Sequence, residues 1–334
     1  MSDMQSPTGP AFRDQSTGLT LFGVFQLLLG GFCGLAAFMM LAMATIPQRG
    51  VPGGTPMGLR QAIPMAGLYV VMAVAGVLLG IGSIRARRWA WALTLVLSWM
   101  WLIVGICALL CWLIWAPYLY ASMQQQMKMP PQALLVMQIV MGGMLGCMYI
   151  LLPGVFLLFY QRSAVRATCR WRDPQTRWTD RCPLPVLAVS LALAYSALQM
   201  PFSLAAYGGV IPLFGRFVTG IAASALLLFL CVVSACLAWG MYRLKMVAWW
   251  GSVVLCIVGS ASATMTFAQP NALKTMYEKM DLPPAQLEMI NKMGIPDRLS
   301  GGMVWLMPIS ALLVLGYLVW VRRYFKAGEA ERTS

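Results

Sequence analysis

Eight long stretches without a charged side chain constrain this sequence more than anything else in it. They run roughly over residues 20–45, 63–84, 89–116, 134–160, 184–206, 217–241, 247–268 and 303–321, and every Asp, Glu, Lys and Arg falls outside them. A helix needs about 20 predominantly apolar residues to cross the hydrocarbon of a bilayer. Buried helices of soluble domains rarely reach such lengths without a charge. Composition agrees, with 60% hydrophobic and only 10% charged residues. The expected fold class is all-α: a polytopic integral membrane protein with eight transmembrane helices.

The cations give the expected orientation. Of the 24 Lys and Arg, 16 lie on one side: Arg13, Arg85, Arg87, Arg88, six arginines between 162 and 181, Arg243, Lys245 and the C-terminal group from Arg322. The other side holds Arg49, Arg60, Lys128, Arg216, Lys274, Lys279, Lys292 and Arg298. Positive charge is retained in the cytoplasm, so both termini are expected there. The net charge of +14 then reads as a topology signal and an attraction to anionic lipid headgroups at the cytoplasmic face, with no nucleic-acid partner implied.

The chain also repeats. Tyr120 to Pro131, YASMQQQMKMPP, returns 153 residues later as LKTMYEKMDLPP, with Met123, Met127 and the Pro130–Pro131 pair matching Met276, Met280 and Pro283–Pro284. The spacing predicts a short helix with its apolar side chains on one face in each copy. Arg85, Arg87 and Arg88 beside Trp89 and Trp91 find a counterpart in Arg243 and Lys245 before Trp249 and Trp250. Four spans per half is an even number, so both halves start on the same side and form two parallel four-helix repeats. The expected division is a disordered cytoplasmic N-terminus (1–17), a first repeat (18–161), a basic cytoplasmic connector (162–183), a second repeat (184–326) and a cytoplasmic tail (327–334). In the longest outer loop, Asn271 is expected to cap a helix running to Met280, and a second helix from the Pro pair to Gly294 should carry Leu287, Ile290 and Met293 on one face and Glu288, Asn291 and Lys292 on another.

Small residues four apart, Gly30 and Gly34, Gly76 and Gly80, Gly142 and Gly146, predict close helix contacts in the first half, with the second half packed more loosely. The connector is expected to lie on the membrane surface as a ribbon, with Trp171 and Trp178 at the headgroups. Cys169 and Cys182 there have no CxxC partner pair, so no zinc site is expected. As cytoplasmic thiols they should label with an impermeant reagent only after permeabilisation. Histidine is absent, which removes the commonest metal ligand and general base.

Two sets of residues remain as candidates for function. Gln26, Gln138 and Gln199 are the intramembrane amides, expected to hydrogen-bond between helices or to line a solute path. Met123, Met127, Met276 and Met280 face the outer side, where they either pack or offer soft thioether ligands to Cu(I). No cofactor, metal site or catalytic residue is expected, and the chain does not read as an enzyme. The expected function is a non-catalytic membrane component, a scaffold or accessory subunit with a membrane-protein partner. The alternative is a transporter or channel for a small uncharged or soft solute. Arginine outnumbering lysine 18 to 6, only two asparagines and no N-x-S/T acceptor suggest a bacterial cytoplasmic (inner) membrane.

Overall fold

The computed structural model describes residues 13–45, 59–127, 130–280, 282, 284–292 and 295–325. In chain order its elements are α1 (Ser16–Thr45), α2 (Leu59–Ile84), α3 (Arg88–Met127), α4 (Pro131–Gly146), a π turn (Cys147–Leu151), α5 (Leu152–Tyr160), α6 (Ser163–Arg172), a 3-10 turn (Trp178–Arg181), α7 (Leu184–Tyr207), β1 (Ile211–Leu213), β2 (Arg216–Val218), α8 (Gly220–Tyr242), α9 (Met246–Phe267), α10 (Ala272–Lys279), α11 (Pro284–Lys292) and α12 (Ile295–Val321). Eight helical stretches among the described residues are long and apolar enough to cross a membrane: α1, α2, α3, the composite α4–α5, α7, α8, α9 and α12. The chain is an all-α, polytopic membrane protein, with one small hairpin among the described residues. Residues 1–12, 46–58 and 326–334 lie outside the described residues.

Prolines shape three of the spans. Pro153 has no N–H to give to the carbonyl of Tyr149 four residues earlier, and its ring would crowd that carbonyl. The helix widens into the π turn just before it, and the Tyr149 carbonyl is presented to Gly105 of α3, which has no side chain to oppose it. In α7, Pro201 likewise leaves the Ala197 carbonyl free, and the Cys231 thiol of α8 donates to it at 3.2 Å. In α12, Pro308 leaves the Val304 carbonyl without its helical N–H, and the Met307 carbonyl just before it accepts the Ser310 hydroxyl at 2.8 Å and the Ser260 hydroxyl of α9 at 3.4 Å.

α1 and α2 make the most extensive contact between helices. A Cβ placed on Gly30 would lie 2.9 Å from the Ala73 carbonyl oxygen and 3.0 Å from the Val77 nitrogen, and one on Gly80 would lie 2.7 Å from the Gly23 carbonyl oxygen. The contact therefore runs through Gly23, Gly30, Gly76 and Gly80, so Gly23, seven residues before Gly30, takes the place expected of Gly34. Gly34 meets only ordinary contact and Gly146 open space. The matching pair α7 and α8 is joined through polar groups instead: the Ser190 hydroxyl donates to the Ala238 carbonyl at 2.8 Å.

The ends of the spans at the basic side carry the same geometry twice, 158 residues apart. Ala86 and Leu244 both turn with positive φ, at 49° and 54°. The following N–H groups, of Arg87 and Lys245, return to the Gly82 and Gly240 carbonyls at 2.8 and 3.0 Å. Trp91 and Trp249 then donate their indole N–H to the carbonyls of Tyr160 and Leu318, at 2.9 and 2.8 Å. Buried clusters form at the same end of each half, around Leu19, Phe156, Tyr160 and Val165 in the first and around Leu187, Met241, Trp249 and Phe325 in the second.

At the opposite end the structure departs from the sequence expectation. Residues 217 and 218 belong to β2, not to the sixth span, which begins at Gly220. β1 and β2 pair antiparallel through a two-residue turn in which Phe214 and Gly215 both have positive φ, at 42° and 87°. That is the mirror-image turn that matches strand twist. The hairpin is fastened to α9, where Ser262 and Thr266 hydroxyls accept the Phe214 and Gly215 N–H groups, each at 3.0 Å.

Candidate functional site

The three glutamines do not converge. Gln26 is buried in α1, where its amide nitrogen donates to the Thr94 hydroxyl at 3.0 Å and its carbonyl oxygen accepts from Ser83 at 3.1 Å. Ser83 has one proton, given to Gln26, so the 2.8 Å contact with the Tyr160 hydroxyl is donated by Tyr160. The result is a closed, neutral chain of hydrogen bonds linking α1, α2, α3 and α5. Its counterparts 158 residues on are Met241, Ser252 and Leu318, for Ser83, Thr94 and Tyr160, and there Ser252 bonds only back into its own helix. The network belongs to the first half alone. Interhelical bonds of this kind contribute about 0.6 kcal/mol each, so it reads as an internal tie between spans. Gln138 is half-exposed on α4 and Gln199 exposed on α7, and neither has a hydrogen-bond partner among the described residues. The sequence expectation had Gln26 but not its partners, since Ser83, Thr94 and Tyr160 lie near span ends where hydroxyls attract no notice.

The two copies of the methionine motif differ in structure. Residues 120–127 are the last two turns of α3, a 40-residue helix about 60 Å long that outreaches the hydrocarbon core. The side chains of Met123 and Met127 lie outside the described residues. The second copy is a separate helix, α10, in which Met276 packs on the cluster of Phe267, Ala272 and Leu273, and Met280 is half-buried. Asn271 precedes it in the left-handed region, φ 57°, and makes no side-chain cap, contrary to expectation. In α11, Leu287 and Ile290 are half-buried while Glu288 and Asn291 are exposed, the two faces expected. Asp281, Pro283, Met293 and Gly294 lie outside the described residues.

Because Leu keeps the size and shape of Met, Met123→Leu, Met127→Leu, Met276→Leu and Met280→Leu together are expected to leave folding intact, each within about 1.5 kcal/mol. Titration of the purified protein with Cu(I) checks this: micromolar binding that vanishes in the fourfold variant would make the thioethers ligands instead.

The connector is more ordered than a surface ribbon. Val165, Thr168 and Cys169 form the buried face of α6, while Trp171 and Trp178 stay exposed as expected. Thr168 accepts the Gln15 N–H at 3.1 Å, tying the start of α1 to the connector. Its hub is Asp173, only 2% exposed, which takes two N–H groups of the Arg177 guanidinium at 2.8–3.2 Å, the Arg88 backbone N–H at 3.3 Å and the charge of Arg87 at 3.5 Å. The Arg177 hydrogen bonds hold its carboxyl below the usual carboxylate range, burial opposing them. Asp180 pairs with Arg88 at 3.1 Å. Burial pushes the Cys169 and Cys182 thiols up to about 12, with the Asp173 charge adding to the effect at Cys169. Thiols so far from ionisation, and so buried, are poor targets for the labelling that the sequence suggested. Among the described residues no group of three or more His, Cys, Asp or Glu is placed to hold a metal ion.

Two grooves open at this basic end. One lies against Arg85, Arg87 and Trp89; the larger, about 580 Å³, lies where Arg166 of α6, Arg181 of the 3-10 turn and Tyr324 after α12 face one another. Neither is lined by Gln26, Gln138 or Gln199. No protein-family model, curated relative or solved structure matches the chain.

Proposed function

We propose that the chain is a non-catalytic multi-pass component of a bacterial cytoplasmic membrane, a scaffold or accessory subunit that packs against a membrane-protein partner. The observation that carries this reading is Gln199. It is exposed at span depth on α7 with no hydrogen-bond partner among the described residues. An amide facing hydrocarbon is costly unless paired, and a second chain is the natural source of the pair. Gln138 repeats the pattern on α4, whose Leu135, Val136, Ile139 and Val140 are all exposed around it. A photo-crosslinking side chain at 138 or 199, activated in native membranes, is expected to give an adduct with the same membrane protein that copurifies with the chain. Lipid adducts alone at both positions, together with solute uptake by proteoliposomes, would replace the scaffold by a transporter.

Two parallel four-helix repeats are the architecture we favour. Supporting it are the duplicated motif and the recurrence, 158 residues apart, of the positive-φ turn, its backbone hydrogen bond and the indole-to-carbonyl bond. The division of basic residues supports a cytoplasmic placement of both termini and of the connector. Because Cys169 and Cys182 are buried, the test uses introduced thiols. Glu278→Cys, exposed on α10, is expected to label from outside intact cells, and Gln175→Cys, exposed in the connector, only after permeabilisation. Labelling of Gln175→Cys in intact cells would reverse the orientation.

A further inference from the structure

The larger groove at the basic end is built from both halves of the chain. Arg88 and Trp91 of α3 and Arg166 and Arg170 of α6 form one wall, Leu244 and Tyr324 the other, and the 3-10 turn closes the space between them. Four guanidiniums, those of Arg88, Arg166, Arg170 and Arg181, face a single carboxylate, Asp180. That carboxylate is already engaged, by the Arg88 guanidinium at 3.1 Å and by the Arg177 backbone N–H at 2.8 Å. Arg166, Arg170 and Arg181 make no ion pair among the described residues. Arg166 and Arg170 are four apart on α6 and so leave the helix on the same face. Like charges that line one groove repel one another, which favours an anion between them.

A second observation points to the same place. Thr179 is 2% exposed, its hydroxyl has no hydrogen-bond partner among the described residues, and it stands in the wall of this groove. Buried hydroxyls are rarely left unpaired, because their desolvation is then uncompensated. An anion with acceptor oxygens supplies both missing elements, a counter-charge for the arginines and a partner for the hydroxyl. The remaining lining, Trp91, Ala92, Cys182, Pro183, Leu184, Leu244 and Tyr324, is largely apolar.

We propose that this groove is a binding site for the phosphodiester headgroup of an anionic membrane lipid. The phosphate oxygens accept from Thr179 and from the arginines of α6 and the 3-10 turn, and the apolar wall takes the glycerol and the start of the acyl chains. Because its walls come from the two halves, a bound headgroup ties them together at their basic ends. The proposal rests on the chain spanning a membrane, but on neither the orientation nor the scaffold role.

The test is thermal unfolding of the full chain purified in detergent, with added phosphatidylglycerol, phosphatidylcholine or inorganic phosphate. Phosphatidylglycerol at saturating concentration is expected to raise the midpoint by about 5 °C, and the other two by less than about 1 °C. Arg166→Gln with Arg170→Gln should abolish most of that rise, while Arg162→Gln, an exposed arginine outside the groove, should keep it. Thr179→Val separates ligand binding from folding: it should leave the lipid-free midpoint unchanged or higher, because an unpaired hydroxyl is gone, and still cut the lipid increment by about half. An equal rise with phosphatidylcholine, or a full increment in Thr179→Val and in the double arginine variant, would overturn the site. An equal rise with inorganic phosphate would overturn the lipid as its occupant. These failures leave the crosslinking and labelling outcomes untouched, since those report on other surfaces.

Discussion

Gly105→Leu is expected to be among the most damaging single substitutions in the chain. A Cβ there would run into the Tyr149 carbonyl, which is backbone and held in place by the π turn before Pro153. Moving that carbonyl away would require α3 and α4–α5 to separate, because Pro153 cannot take it back into the helix. Overpacking of this kind costs about 1 to 3 kcal/mol, and a clash with backbone lies at or above the top of that range. Gly30→Leu belongs to the same class, facing the Ala73 carbonyl and the Val77 nitrogen across the α1–α2 contact. Gly142→Leu should be intermediate, contrary to the equal weight its spacing suggested, since it meets only the Trp112 indole at 3.1 Å and a side chain can turn aside. Gly316→Leu faces open space and should be nearly silent. Thermal midpoints in detergent for the four variants check the order. A Gly316→Leu protein as unstable as Gly105→Leu would mean that α12 has a close neighbour, a partner chain included.

The spans were legible because charge exclusion is a property of composition, read without knowing any contact. What the chain does between spans was less so. Pro117 and Pro270 stand at the same 153-residue offset as the methionine motif, yet α3 runs on past the first to Met127 while α9 stops before the second. The difference lies one residue on. Asn271 takes the left-handed conformation at little cost and lets the chain turn back, whereas Tyr118, its counterpart, would pay a steric penalty there and stays helical. The hairpin at 211–218 was hidden for a different reason: its side chains are as apolar as those of the adjoining spans, and only Phe214–Gly215 marks the turn. In the connector, Asp173 was visible as one of two acids among six arginines. Its burial was not, because that depends on α6 folding against the start of α1 and the α2–α3 turn.

Asp173→Asn is the complementary expected result, large through charge where Gly105→Leu is large through volume. The amide cannot accept two guanidinium N–H groups and the Arg88 N–H at once, and its own N–H₂ would face Arg177. Removing one partner of such a pair leaves the other charge without its counter-ion, and because Arg177 remains 29% exposed, water meets part of that loss. The loss should depend on pH in a defined direction. The Asp173 carboxyl sits below its ordinary value of 3.8 in the folded chain, chiefly through the Arg177 hydrogen bonds. Its contribution is therefore complete above pH 3.8 and disappears as pH falls through the lower folded value. Wild type and Asp173→Asn should accordingly differ by a constant amount from neutral pH to about pH 5 and converge below pH 4. Unfolding midpoints measured across that range in detergent give the check. A gap that persisted unchanged into acid would place the stabilisation in the shape of the turn rather than in the carboxylate, and the basic end would then be held by its buried clusters alone.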